Sequence, residues 1–144
     1  MRLRARSQES SLLREHRPVP GLAGLSQASV ARALELGRLV HIPKGWTPIH
    51  AGEPADRTYL LLEGRVRVVT GGEPIADLGP GAFVGEMGLV EHSLRSARIT
   101  ILEPALTLAW PADEFQRLRT ELSDFEELVV STSAARVREN EERR

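Results

Sequence analysis

Gly79-Pro-Gly-Ala-Phe-Val-Gly-Glu-Met-Gly-Leu-Val-Glu-His-Ser-Leu-Arg-Ser-Ala-Arg-Ile-Thr-Ile101 is the stretch from which the fold of this chain is read. Gly79, Gly81 and Gly85, with Pro80, punctuate a loop that brings bare backbone close to something. Glu86 to Val90 reads as one short helical turn whose N–H groups point back at the loop. Converging backbone donors and a helix dipole make such a turn a site for an anion. Arg95 follows at nine residues from Glu86, then the small pair Ser96-Ala97, then Ile99 and Ile101 with the spacing of a strand. One carboxylate, one guanidinium, backbone donors and small residues together suit a compact anionic ligand.

Gly85-Glu86-Met87-Gly88-Leu89, followed by Arg95-Ser96-Ala97, resembles the phosphate-binding cassette of cyclic-nucleotide-binding domains, in the variant of catabolite-activator-type bacterial regulators. The resemblance implies that Glu86 accepts a hydrogen bond from the ribose 2′-OH and that Arg95 pairs with the cyclic phosphate. Ser96, Met87, Gly88 and the backbone of Gly85 and Ala97 are the further candidate contacts. The chemistry agrees: a singly charged phosphodiester with two free oxygens matches the guanidinium fork, and an ionised Glu offers only acceptors to a hydroxyl. Two positions depart from the pattern, Leu94 where the family commonly has Pro, and Arg98 where eukaryotic members have a small hydroxyl residue. Arg98 is a candidate to stack on the purine, and Thr132 and Ser133 on the last helix are the other candidate base contacts. Ser96 does not decide between cAMP and cGMP; the bacterial variant favours cAMP.

Composition narrows the classes. At 144 residues and net charge −1 the chain is one domain with modest appendages, without a general attraction to nucleic acid or an anionic membrane. It has no cysteine, which excludes disulfides, Cys-zinc sites and iron–sulfur clusters. No apolar run reaches the length of a membrane span, and no apolar segment follows the basic start Met1–Arg6, so a cytoplasmic protein is expected. His16, His41, His50 and His92 show no His-x-His pair, and no Gly-x-Ser-x-Gly occurs. No metal site, no catalytic residue and no enzyme are expected.

In order along the chain, residues 1–20 are expected as a flexible arm and 21–144 as the domain. Ser26 is an N-cap for a helix to about Leu36, with Leu25, Val30, Ala33 and Leu34 inward and Gly37 as its stop. From residue 38 the period becomes strand-like: 38–42, 46–50 (an edge, because of Pro48), 58–62, 65–69, 74–78, 98–102 and 105–110. Glu63-Gly64 and Glu103-Pro104 read as corners and Gly71-Gly72 as a hairpin turn. Short strands at this spacing argue for a sandwich or barrel. The resemblance narrows it to a mainly β fold with flanking helices, an eight-stranded β-jelly-roll over about 38–110. C-terminal helices are expected over about 113–140: Asp113 caps the first, with Phe115 and Leu118 inward, and Ser123 to Glu126 fits a capping box. Phe125, Leu128, Val129 and Thr132 form one stripe of the last helix, Val130, Ala134 and Val137 a second. Trp46 and Trp110 are expected in or near the core.

The function implied is a cyclic nucleotide receptor, in which ligand orders the 79–97 loop and repositions the C-terminal helix. That helix reports to a downstream protein the sequence does not name, or to a second copy in a homodimer. The resembling regulators carry a helix-turn-helix after this helix; with no room for one here, direct DNA binding is not expected, leaving a stand-alone receptor or a fragment. The alternative is a jelly-roll interaction or dimerisation module that has lost nucleotide binding.

Overall fold

The computed structural model of the protein describes residues 19–50, 52, 56–85 and 97–142, with side chains as far as Thr132. Helix α1 (Gln27–Leu36) starts as the sequence dictates: Ser26 Oγ accepts a hydrogen bond from the Ser29 N–H at 3.1 Å. It ends at Gly37, whose N–H donates to the Ala33 carbonyl at 3.1 Å. Packing is what demands glycine there, since a Cβ would lie 2.7 Å from Leu108 Cδ1 and 2.8 Å from Trp110 Nε1. Ala33 and Leu34 are buried, and Leu25, Val30 and Leu36 pack around them. Ahead of the helix, Val19 and Leu22 already belong to the core.

Five strands, β1 (Arg38–Ile42), β2 (Arg57–Thr70), β3 (Glu73–Leu78), β4 (Phe83–Val84) and β5 (Arg98–Pro111), form one antiparallel sheet. Its order is β1-β5-β2-β3, with β4 also on β2. The long strands β2 and β5 are its spine, paired from Arg57 opposite Pro111 to Val69 opposite Arg98. Along its other edge β5 takes β1 (Ile42 opposite Ala105) and the single bridge Ile49–Ile99, while the other edge of β2 takes β3 and β4.

The sheet and its flanking helices agree with a β-roll, but the described residues form five strands where eight were expected. Glu63-Gly64 and Glu103-Pro104 do not break the chain into separate strands. They lie inside β2 and β5 and face each other, and the ladder absorbs them as register shifts between Leu61 and Val66. Such bulges bend and twist two strands together without ending their pairing. Segment 46–50 meets β5 at two points, the Ile49–Ile99 bridge and the Trp46 carbonyl, which accepts from the Ile101 N–H at 2.9 Å, and Pro48 between them has no N–H to give a ladder. The Gly71-Gly72 hairpin joins β2 to β3 as expected, with Thr70 opposite Glu73.

Helix α2 (Ala112–Glu121) continues directly from β5. Its N-cap position is Pro111, not Asp113; Asp113 lies within the first turn, where its Oδ1 accepts from the Glu114 N–H at 2.9 Å. In α3 (Ser123–Glu142) the expected capping box gives way to an inter-helix pair, the Glu126 carboxylate receiving Arg119 Nε at 2.7 Å and Nη2 at 2.9 Å.

Because the spine is covered on both faces, Tyr59–Leu62 reads as a continuous apolar run. Leu60, Leu62, Leu108 and Trp110 face the helices and meet Phe83, Phe115, Leu118, Phe125 and Val129. Tyr59, Leu61, Val66, Val84, Ile99 and Ile101 pack on the opposite face. Each fully buried side chain of this size contributes about 1.5–3 kcal/mol relative to exposure. Trp110 is in the core as expected; Trp46 is not, and stands 63 % exposed on the turn after β1.

Candidate functional site

The loop that the sequence singles out leaves the sheet at β4 and returns at β5. Its departure is fixed by backbone bonds: the Gly81 N–H donates to the Leu61 carbonyl at 2.8 Å, and the Leu61 N–H to the Ala82 carbonyl at 2.9 Å. Bare backbone at Gly81 has a protein partner. A Cβ on Gly21 would meet the Gly81 carbonyl oxygen at 2.7 Å, so the turn before α1 packs directly against this rim. Phe83 and Val84 are buried on opposite faces of the sheet, and Gly85 follows with φ +87, a conformation that favours glycine. On the return side Ala97 is half-buried and the Ile99 N–H donates to the Ile49 carbonyl at 3.0 Å.

Of the expected ligand contacts, Gly85 directly follows β4 and Ala97 directly precedes β5. Glu86, Met87, Gly88, Arg95 and Ser96 lie outside the described residues. Arg98 is exposed, opposite Val69 and alternating with Ile99, so it shares the face of Thr100 and points away from the face of Ile99 and Ile101. Thr132 is half-buried on α3; Ser133 belongs to α3, with its side chain outside the description. Among the described residues no group of three or more His, Cys, Asp or Glu is arranged to hold a metal.

What sequence reasoning missed is how the loop's root is joined to the last helix. The Phe83 ring stacks on Trp110 at 6.2 Å and meets Phe125 of α3 edge-on at 6.3 Å, while Phe115 closes the cluster at 5.7 Å from Phe125. Such pairs add about 0.5–1.5 kcal/mol beyond area burial. The four rings come from four different elements, with Phe83 27 residues before Trp110, and only Phe115 and Phe125 carry a periodicity signal. Around this apolar centre the helices are tied by polar bonds. Arg32 of α1 holds Glu121 of α2 through Nε at 3.0 Å, and Asp124 of α3 accepts from Ser29 Oγ at 2.8 Å.

These bonds lower two carboxyls below their ordinary range: Glu121 through hydrogen bonds from Arg32 and Arg117, Asp124 through those from Ser29 and the Ser26 backbone. A carboxyl lowered by folding adds stability that is full above its ordinary value and is lost as pH falls through the lowered one. Stability is therefore expected to drop on acidification below about pH 4, and Asp124→Asn to flatten that acid limb, as urea midpoints measured between about pH 5 and pH 2.5 will report.

Residues 39–121 match the family model of the cyclic nucleotide-binding domain, and the chain belongs to that family of regulatory ligand-binding domains. A cyclic nucleotide-gated potassium channel of Mesorhizobium japonicum is 32% identical over 118 residues, covering 82% of this chain and 33% of the channel. A Pycsar effector protein of Xanthomonas perforans is 30% identical over 128 residues, covering 88% of this chain and 41% of the effector. The crystal structure of the Thermus thermophilus catabolite activator protein superposes with a TM-score of 0.75 at 29% identity, over 85% of this chain and 60% of that one. The chain thus spans about a third to two fifths of the length of these two curated relatives. No helix among the described residues is long and apolar enough to cross a membrane.

Proposed function

We propose that this domain is a cyclic nucleotide receptor, with cAMP as its ligand ahead of cGMP, in which the 79–97 loop closes on the ligand and α3 carries the signal onward. In this reading Arg95 pairs with the cyclic phosphate, Glu86 accepts from the ribose 2′-OH, and Gly85, Met87, Gly88, Ser96 and Ala97 line the phosphate. Arg98, exposed at the start of β5, and Thr132 and Ser133 on α3 are the candidate base contacts. The protein works in the cytoplasm as a sensor and not as a catalyst. It pairs with a second copy or a downstream protein through α3, whose Val130 is 48% exposed beside the buried Val129.

The observation that carries the coupling is the contact between Phe83 and Phe125. The strand that launches the loop and the first turn of α3 touch through two buried rings, so a shift of the loop's root alters the seat of the helix. A ligand moves the helix only by as much as its contacts differ between the two states, and an ordered loop is the source of that difference. Preference for cAMP rests on the catabolite-activator form of the loop.

Isothermal titration of the purified protein with cAMP and cGMP, beside Arg95→Ala, tests the reading. Loss of one charge-assisted contact, about 1.5–3 kcal/mol, is expected to weaken binding by about one to two decades. Absence of heat and of thermal shift with either nucleotide would sink the receptor reading and leave a ligand-independent interaction module.

A further inference from the structure

Two Pro-Gly turns meet at the root of the 79–97 loop. In Val19-Pro20-Gly21-Leu22 the Leu22 N–H donates to the Val19 carbonyl at 2.9 Å, and in Gly79-Pro80-Gly81-Ala82 the Ala82 N–H donates to the Gly79 carbonyl at 3.2 Å. Both carry proline second and glycine third, with φ +86 at Gly21 and +95 at Gly81, the pattern of a type II turn. The two glycines lie against each other with no side chain between them. A Cβ on Gly21 would stand 2.7 Å from the Gly81 carbonyl oxygen, and one on Gly81 would stand 3.3 Å from the Gly21 nitrogen.

Each turn is also held from its other side. Val19 and Leu22 are buried in the helix-side core with Leu60 and Phe83, which anchors the first turn. The second is fastened to β2 by the Gly81 N–H on the Leu61 carbonyl and the Leu61 N–H on the Ala82 carbonyl, and Phe83, Val84 and Gly85 follow it directly. Backbone pressed on backbone has no rotamer with which to yield, so the place of the first turn sets the place of the second. Gly21 itself stands ahead of the family match at 39–121.

Resting on the reading of 79–97 as the ligand loop, we propose that Gly21 is a positioning residue for nucleotide binding. The Pro20-Gly21 turn seats the Pro80-Gly81 turn, and that turn launches the loop. Gly21 acts through Gly81, without touching the ligand. A binding constellation works only within about 0.5 Å of its productive geometry. A methyl group on Gly21 stands at 2.7 Å where ordinary contact begins at 3.4 Å, so the misfit exceeds that tolerance.

Gly21→Ala in the full chain is expected to weaken cAMP binding about tenfold in titration. Gly45→Ala is the control: φ is +89 with nothing within 4 Å of the added Cβ, so it carries the backbone strain alone and is expected to bind as wild type does. Unchanged affinity in Gly21→Ala, or an equal loss in Gly45→Ala, overturns the proposal. A second arm needs no nucleotide. Hydrogen exchange at the Leu61, Gly81 and Ala82 amides is expected to rise about tenfold in Gly21→Ala and not over 65–70; no rise, or a uniform one, overturns the seat. Should Gly21→Ala not fold, Gly81→Ala presses on the same contact from the other side at a milder 3.3 Å, and an unchanged Leu22 amide there overturns the seat equally. If wild-type protein binds neither nucleotide, the receptor reading falls and takes the affinity effect with it, while the exchange arm still decides whether the two turns are locked together.

Discussion

Trp110→Ala is expected to remove about 3–5 kcal/mol of stability, the range for emptying a large buried aromatic site. Trp110 is fully buried, with Phe83 stacked on it at 6.2 Å, Phe125 edge-on at 5.9 Å and Phe115 tilted at 6.2 Å. Its indole N–H also reaches the Ala33 carbonyl at 2.8 Å, so the same side chain carries packing and the tie to α1. Trp110→Phe separates the two. It keeps a ring in the cluster and loses the donor, and the Ala33 carbonyl still accepts from the Gly37 N–H. Its expected cost is about 1–2 kcal/mol, a lost hydrogen bond plus a smaller ring. Urea unfolding of the three proteins checks both values through the shift in midpoint at constant slope. A loss below about 1 kcal/mol in Trp110→Ala would mean that the cluster does not hold strand, loop root and helices together.

Such a hub was invisible to the sequence for a physical reason. Phe83, Trp110, Phe115 and Phe125 come from a strand of two residues, the end of a long strand and two helices, and no local period links them. Local signals were read well where the cause is local. The Ser26 cap and Gly37 stop set α1, and Gly71-Gly72 set a hairpin, because each acts through its own neighbours. Signals with two outcomes were misread. A Gly or Pro between two apolar runs marks either a corner or a bulge, and only the pairing of Glu63–Arg65 against Glu103–Leu106 decides for the bulge. Trp46 failed similarly, since apolar character states a preference for burial while the turn at Pro43–Trp46 holds the ring outside. Asp124 looked like a residue inside a capping box; its partners at Ser26 and Ser29 are 98 and 95 positions away. The family was legible from the loop motif, because its residue types stand at close spacing, and the family match spans 39–121.

Gly64→Ala tests the bulge itself. Gly64 has φ +96, and a Cβ there would lie 2.5 Å from the Pro104 carbonyl oxygen, 2.9 Å from Ala105 Cα and 3.0 Å from the Glu103 carbonyl oxygen. Every one of those atoms is backbone of β5, so no side chain can turn aside and the two central strands must separate. The backbone conformation alone costs an alanine about 1–2 kcal/mol, and forced overpacking adds about 1–3 kcal/mol. A total near 3 kcal/mol or more is therefore expected. Gly45→Ala is the matched control: φ is +89 and nothing lies within 4 Å of the added Cβ, so only the conformational part remains. The difference between the two variants in urea unfolding measures the steric part alone. Equal losses would show that β2 and β5 yield at the bulge without cost. A loss at least twice as large at Gly64 would show that the bend is rigid, and a rigid bend is what lets the spine of the sheet hold both ends of the 79–97 loop in fixed relation.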